Sequence, residues 1–180
     1  MKNKVVLNIC LSGIFLGLAM ILPFLTGQIQ EIGSMLCPLH LPVLICGYVC
    51  GWKYGLIVGL ISPVLRSVIF GMPPLYPASI SMSIELALYG FTSGLLYDML
   101  KRKNLNSYLI IYVSLIVSLL IGRLGWGLLR YILGLIDQTN VFTFDMFISG
   151  AFVMAWPGII LQIVLIPVII KTLEKIGYLN

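Results

Sequence analysis

Apolar segments long enough to cross a bilayer recur along this chain, separated only by short breaks. This feature leaves a helical membrane bundle as the expected fold. A spanning helix needs about 20 residues, and backbone groups facing lipid must be satisfied within their own segment. Composition agrees: the 180 residues are 60% hydrophobic and 9% charged, with a mean hydropathy of +1.09, whereas a soluble domain carries about a quarter charged residues. No polar linker, low-complexity stretch or internal repeat divides the chain, so residues 1–180 are expected to form one domain.

The breaks define six spans. The first run, about residues 5–25, follows Lys2 and Lys4. It is longer than a signal-peptide core and no A-x-A-like site follows, so it is expected to be retained. "TGQIQEIGSM" (residues 26–35) precedes a second span over residues 37–49, and "GWKYG" (51–55) turns into a third that ends at Gly71. Three prolines in "MPPLYP" (72–77) stop that helix, because proline removes the N–H that the hydrogen-bond ladder requires. The fourth span covers residues 78–100, the fifth about 107–135 and the sixth about 145–170. Lys2, Lys4, Lys53, Lys101, Arg102, Lys103, Lys171 and Lys175 then share one side. The opposite loops, 26–35, 72–77 and 136–144, contain no lysine or arginine. Cytoplasmic loops carry the excess of basic residues, so both termini are expected in the cytoplasm. The net charge of +5 thus marks topology rather than a nucleic-acid partner.

Of the basic residues, Arg66, Arg123 and Arg130 are left inside spans, together with Glu85 and the lone His40. An arginine at mid-bilayer costs about 2.5–3.5 kcal/mol on insertion scales, so these groups are expected to face the bundle interior. Depths estimated along the helices place all five in the outer half to the middle of the bundle, around one outward-open cavity. Arg123, Trp126, Gly127 and Arg130 follow one helical face. Ser81, Glu85, Tyr89 and Thr92 form a polar stripe on the fourth span. Ser149 and Trp156 lie two turns apart on the sixth, where Pro157 is expected to bend the helix. Arg66 or Arg123 can pair with Glu85 as a structural bridge, and Arg130 can reach the outer interface. Even so, three arginines against one glutamate leave excess positive charge, which a carboxylate would neutralise. Trp126, Trp156 and Tyr89 are either ordinary packing or walls of that cavity.

Catalytic and cofactor signatures are absent. No phosphate-binding G-x-x-x-x-G-K-[ST] loop, H-E-x-x-H or nucleophile elbow occurs, and no cofactor is expected. The cysteines Cys10, Cys37, Cys46 and Cys50 match neither a disulfide framework nor a zinc site. Cys37-x-x-His40 supplies only two ligands, so no metal is expected. The pattern fits a solute-binding membrane subunit driven from elsewhere. A stand-alone transporter coupled to protons through Glu85, and a small membrane enzyme using Glu85 and His40, are the rival classes.

The run "PLHLPVLICGYVCGWKYGLIVGLISPVLRSVIFGMPPLYP" (residues 38–77) resembles the second and third spans of substrate-binding (S) components of energy-coupling factor (ECF) vitamin transporters. His40 to Gly47 carry the pattern H-[IL]-P-V-L-x-x-G, and length, span number and termini agree over nearly the whole chain. The resemblance implies a non-enzymatic protein of the prokaryotic plasma membrane that binds a water-soluble micronutrient on the outer side. It also implies association with a membrane T subunit and two cytoplasmic ATPases. A small-residue face on the first helix would meet the T subunit. Here Gly13 and Gly17, with Ser12, replace the family's alanines, and internal packing is the alternative role. The three outer loops would cap the substrate. Arg123, Arg130 and Arg66 are expected to attract a carboxylate-bearing ligand such as pantothenate or a folate-like molecule, with His40 and Glu85 orienting the cations or binding substrate atoms.

Overall fold

The computed structural model describes residues 2–26, 33, 35–103, 105–137 and 141–179, and no strand occurs among them. Among the described residues the main helices in order are α1 (Lys2–Ile21), α2 (His40–Cys50), α3 (Trp52–Phe70), α4 (Ile80–Lys101), α5 (Ser107–Ile136), α6 (Phe144–Ile148) and α7 (Trp156–Lys175). Short irregular turns at Leu22–Thr26, Leu75–Ser79 and Ser149–Val153 extend α1, precede α4 and follow α6.

Among the described residues, length and composition qualify four stretches to cross a membrane: Asn3–Leu25, Trp52–Phe70, Ser107–Ile136 and Trp156–Lys175. Helix α2 has 11 residues and spans only about 16 Å at 1.5 Å per residue. Helix α4 is long enough, but it carries the polar residues of the bundle centre and packs against α2, α3 and α5. It is sheltered by protein rather than by its own apolarity.

The sixth span requires a correction. Instead of one helix over residues 145–170, the chain forms α6, a wide turn at Ser149–Val153, and then α7 from Trp156. Pro157 sits in the first turn of α7, where its missing N–H is unneeded. The ring restricts the backbone before it, and a break before Trp156 replaces the expected bend. Ser149 and Trp156 therefore lie on separate elements.

Glycines set how closely the central helices approach. A Cβ on Gly90 would lie 2.2 Å from the Gly55 carbonyl oxygen, and one on Gly59 2.2 Å from that of Leu86. A Cβ on Gly94 would lie 2.5 Å from the Gly47 carbonyl oxygen. Backbones of α2, α3 and α4 thus touch directly, the packing that small residues permit inside membranes. Gly51, at φ 93°, makes the tight turn from α2 into α3, a left-handed conformation that favours glycine.

Hydrogen bonds tie the far ends together. Glu174 on α7 accepts from Tyr97 of α4 at 2.7 Å and from Lys171 at 2.9 Å, and also from Ser107 of α5. Lys101 donates to the Leu179 carbonyl. Helix α1 is attached lightly: Asn8 donates to the Cys50 carbonyl at 3.2 Å, and Arg66 to the Met20 carbonyl at 3.0 Å. Much of its apolar surface, including Val6, Ile9, Ile14 and Ile21, is exposed.

Candidate functional site

The expected polar stripe on α4 is buried at Ser81, Glu85, Tyr89 and Thr92, but its members divide by role. Ser81 bonds back to the Pro77 and Ala78 carbonyls, and Thr92 to that of Leu88. Both satisfy their own helix. Glu85 and Tyr89 belong to a cluster. The Tyr89 hydroxyl donates to Glu85 Oε1 at 3.0 Å, and Arg123 Nη1 of α5 lies 3.0 Å from the same oxygen. His40 Nε2, at the start of α2, lies 3.5 Å from it. That contact is too loose for a good hydrogen bond, and both His40 ring nitrogens lack a hydrogen-bond partner among the described residues. The His40 and Tyr89 rings are 5.2 Å apart, and Arg123 Nη2 approaches Cys37 Sγ at 3.7 Å.

Local sequence makes this cluster possible. A Cβ on Gly122 would lie 2.2 Å from the Tyr89 ring, so the glycine before Arg123 gives that ring its space. Of the two possible partners for Glu85, Arg123 is the one it meets. The pair is buried and its opposite charges cancel.

Arg66 goes elsewhere. Besides bonding the Met20 carbonyl, its guanidinium lies 5.5 Å from the Phe24 ring centre and 5.4 Å from that of Phe70. Such cation–ring contacts hold arginine by the ring quadrupole. It joins α1 to α3, apart from Glu85.

Arg130 is about two turns beyond Arg123 on α5. It lies 5.3 Å from the Phe142 ring centre, which in turn meets Trp126 edge-on at 5.4 Å. Trp126 stacks on Phe147 at 6.2 Å, and Gly127 and Gly150 leave room for the Phe147 and Trp126 rings. Among the described residues the buried Arg130 Nε has no hydrogen-bond partner, and no ion pair includes Arg130. Nearby, Tyr76 interacts with Asp137. Partial desolvation, and then the Asp137 carboxylate, raise the Tyr76 pKa above its ordinary value. Tyr76, before α4, and Asp137, after α5, are therefore neighbours close to Arg130. Most of the third expected cap, residues 26–35, lies outside the described residues.

The structure does not bring Trp156 into this arrangement. It is 57% exposed at the head of α7, a consequence of the helix break before it. Phe142 and Phe147 were missed in the sequence because they sit in a stretch read as loop and helix start. Their signal was the recurrence of phenylalanine in "VFTFDMF". Gln162, fully buried on α7, was also missed, being uncharged. No group of three His, Cys, Asp or Glu side chains suited to a metal occurs among the described residues. At Gly13 and Gly17 an added Cβ would meet nothing within 4 Å, so internal packing does not require glycine there.

Long apolar helices around a buried, neutralised charge pair, with an arginine and aromatic rings beyond it, define a multi-pass membrane protein. The family profile described as ECF transporter, substrate-specific component, matches residues 7–170. The chain belongs to that family, whose members are transporter components rather than enzymes. No curated protein and no solved structure matches it.

Proposed function

We propose that this substrate-specific component captures a carboxylate-bearing, water-soluble micronutrient from the outer side of the cell membrane for ATP-driven uptake. The proposed topology is six spans with both termini in the cytoplasm, α6 and α7 counting as one interrupted span. A T subunit and two ATPases supply the energy, and α1 meets the T subunit through Gly13 and Gly17, where side chains leave the helix surface open.

The observation that carries the ligand reading is the unequal use of the arginines. Glu85 neutralises Arg123, and Arg66 is engaged between Phe24, Phe70 and the Met20 carbonyl. Arg130 keeps its charge without an ion-pair partner among the described residues, beside Phe142 and Trp126. A carboxylate offers its planar fork two parallel hydrogen bonds. The aromatic rings supply the apolar wall that small-molecule sites combine with a few polar groups.

Mass spectrometry of the small molecule that co-purifies with the protein names the substrate. Titration of folded Arg130→Ala then tests the site. Removing one member of a buried charge pair costs about 2–5 kcal/mol, a loss of about thirtyfold or more in affinity. Arg130→Lys is expected to restore part of it, because lysine keeps the charge without the fork. Binding by Arg130→Ala within about threefold of the parent, under 1 kcal/mol, would show that the ligand's charge is not read there.

A further inference from the structure

Gln162 is fully buried, and neither end of its side-chain amide, Oε1 or Nε2, has a hydrogen-bond partner among the described residues. Burying an amide without compensation is costly, more so than a made hydrogen bond is favourable. Its neighbours on the buried stripe of α7 are Gly158, Ile166 and Ile170, one helical turn or its multiples away. Among the described residues, α7 packs chiefly on α2 and α5, the helices that carry His40 and Arg123. Gly158 fixes the level, since a Cβ there would lie 2.7 Å from the Met35 carbonyl and 2.8 Å from that of Leu36. Gln162 is one turn farther along α7, about 6 Å, and α2 starts at His40, one turn of chain beyond Leu36. On those two helices the His40 ring nitrogens and Arg123 Nε also lack hydrogen-bond partners among the described residues.

We infer that the Gln162 amide is a ligand-recognising group of the proposed binding site, selecting a ligand with an amide-like edge, a carbonyl beside an N–H on the same side, in addition to its carboxylate. The inference rests on the micronutrient-binding reading above. A carboxamide has one acceptor oxygen and two N–H donors, so it pairs with such an edge through two hydrogen bonds. A hydrocarbon or a carboxylate cannot satisfy both of its ends. Arg130 reads the ligand's charge, and Gln162 reads its neutral polar end.

Five probes test this by calorimetric titration of the purified full chain. Folate, biotin and orotate each carry a carboxylate and a lactam, ureido or imide edge with carbonyl and N–H on one side, whereas lipoate and nicotinate carry a carboxylate without one. The parent is expected to bind at least one of the first three and neither of the last two. Gln162→Met, nearly isosteric, should weaken that binding about tenfold or more. It should also raise the melting temperature of the ligand-free protein, because an unpaired buried amide is gone. Gln162→Asn keeps the amide one methylene shorter, and it should fold and bind more weakly than the parent. Binding of lipoate or nicotinate, or of none of the five, overturns the ligand class. A lower melting temperature for Gln162→Met would make the amide structural, and parent-like binding by that variant would remove Gln162 from the site. Arg130→Ala measured in parallel separates the two readings. If it binds like the parent while Gln162→Met does not, only the charge reading fails. The reverse pattern removes only the amide.

Discussion

Glu85 is the residue on which the bundle centre turns, because one of its oxygens meets Arg123 and Tyr89 at 3.0 Å. Two charges removed from water repay that cost only with good geometry and further hydrogen bonds, and Tyr89 supplies one. Breaking such a pair from one side is worse than never having made it. Arg123→Met is therefore expected to lower unfolding stability by about 3–5 kcal/mol. Adding Glu85→Gln to Arg123→Met should recover most of that, as measured by denaturant unfolding in detergent. A single-variant loss below about 1 kcal/mol, the range of an exposed pair, would mean that water reaches the carboxylate. At this scale the sequence exposes charges and hides neutral groups. Arg66, Arg123, Arg130 and Glu85 are conspicuous because charge within an apolar run is expensive. Which arginine meets Glu85 depends on helix rotation, which spacing alone does not determine. Gln162 was passed over because a neutral amide does little to interrupt an apolar run.

Helices were legible where backbone chemistry forces a break. "GWKYG" separates α2 from α3 at Gly51, and α3 stops at Phe70 just before the prolines of residues 73, 74 and 77. The interruption before Trp156 was not, since a proline in an apolar run reads as a bend, and only neighbouring packing decides between bend and break. The small-residue faces also sort by element. On α4, Gly90→Val should abolish folding, because its first carbon would lie 2.2 Å from the Gly55 carbonyl oxygen. Little monodisperse protein should survive size-exclusion chromatography. On α1, Gly13→Leu with Gly17→Leu should leave the melting temperature and substrate binding of the isolated chain near the parent's and block uptake through the assembled complex. Loss of binding by the isolated double variant would return those glycines to internal packing.

For the whole molecule, the proposed orientation predicts which exposed positions face outside. Val141 and Leu105 are exposed, between α5 and α6 and between α4 and α5 respectively. With the native cysteines replaced, a cysteine at Val141 should react with an impermeant maleimide added to intact cells, and one at Leu105 only after lysis. The opposite pattern would invert the orientation, and the proposed binding side with it. Whatever the orientation, the glycine contacts limit how the molecule can move. Backbone meets backbone at Gly59 with Leu86, at Gly55 with Gly90 and at Gly47 with Gly94. Sliding α4 along α3 by one turn would drive the side chains flanking those glycines into main chain at every level. The central helices are thereby denied the rocking by which many carriers expose a site to each side in turn. Under the proposed uptake function, a solute would pass through peripheral elements giving way or through the entire body changing its tilt in the bilayer.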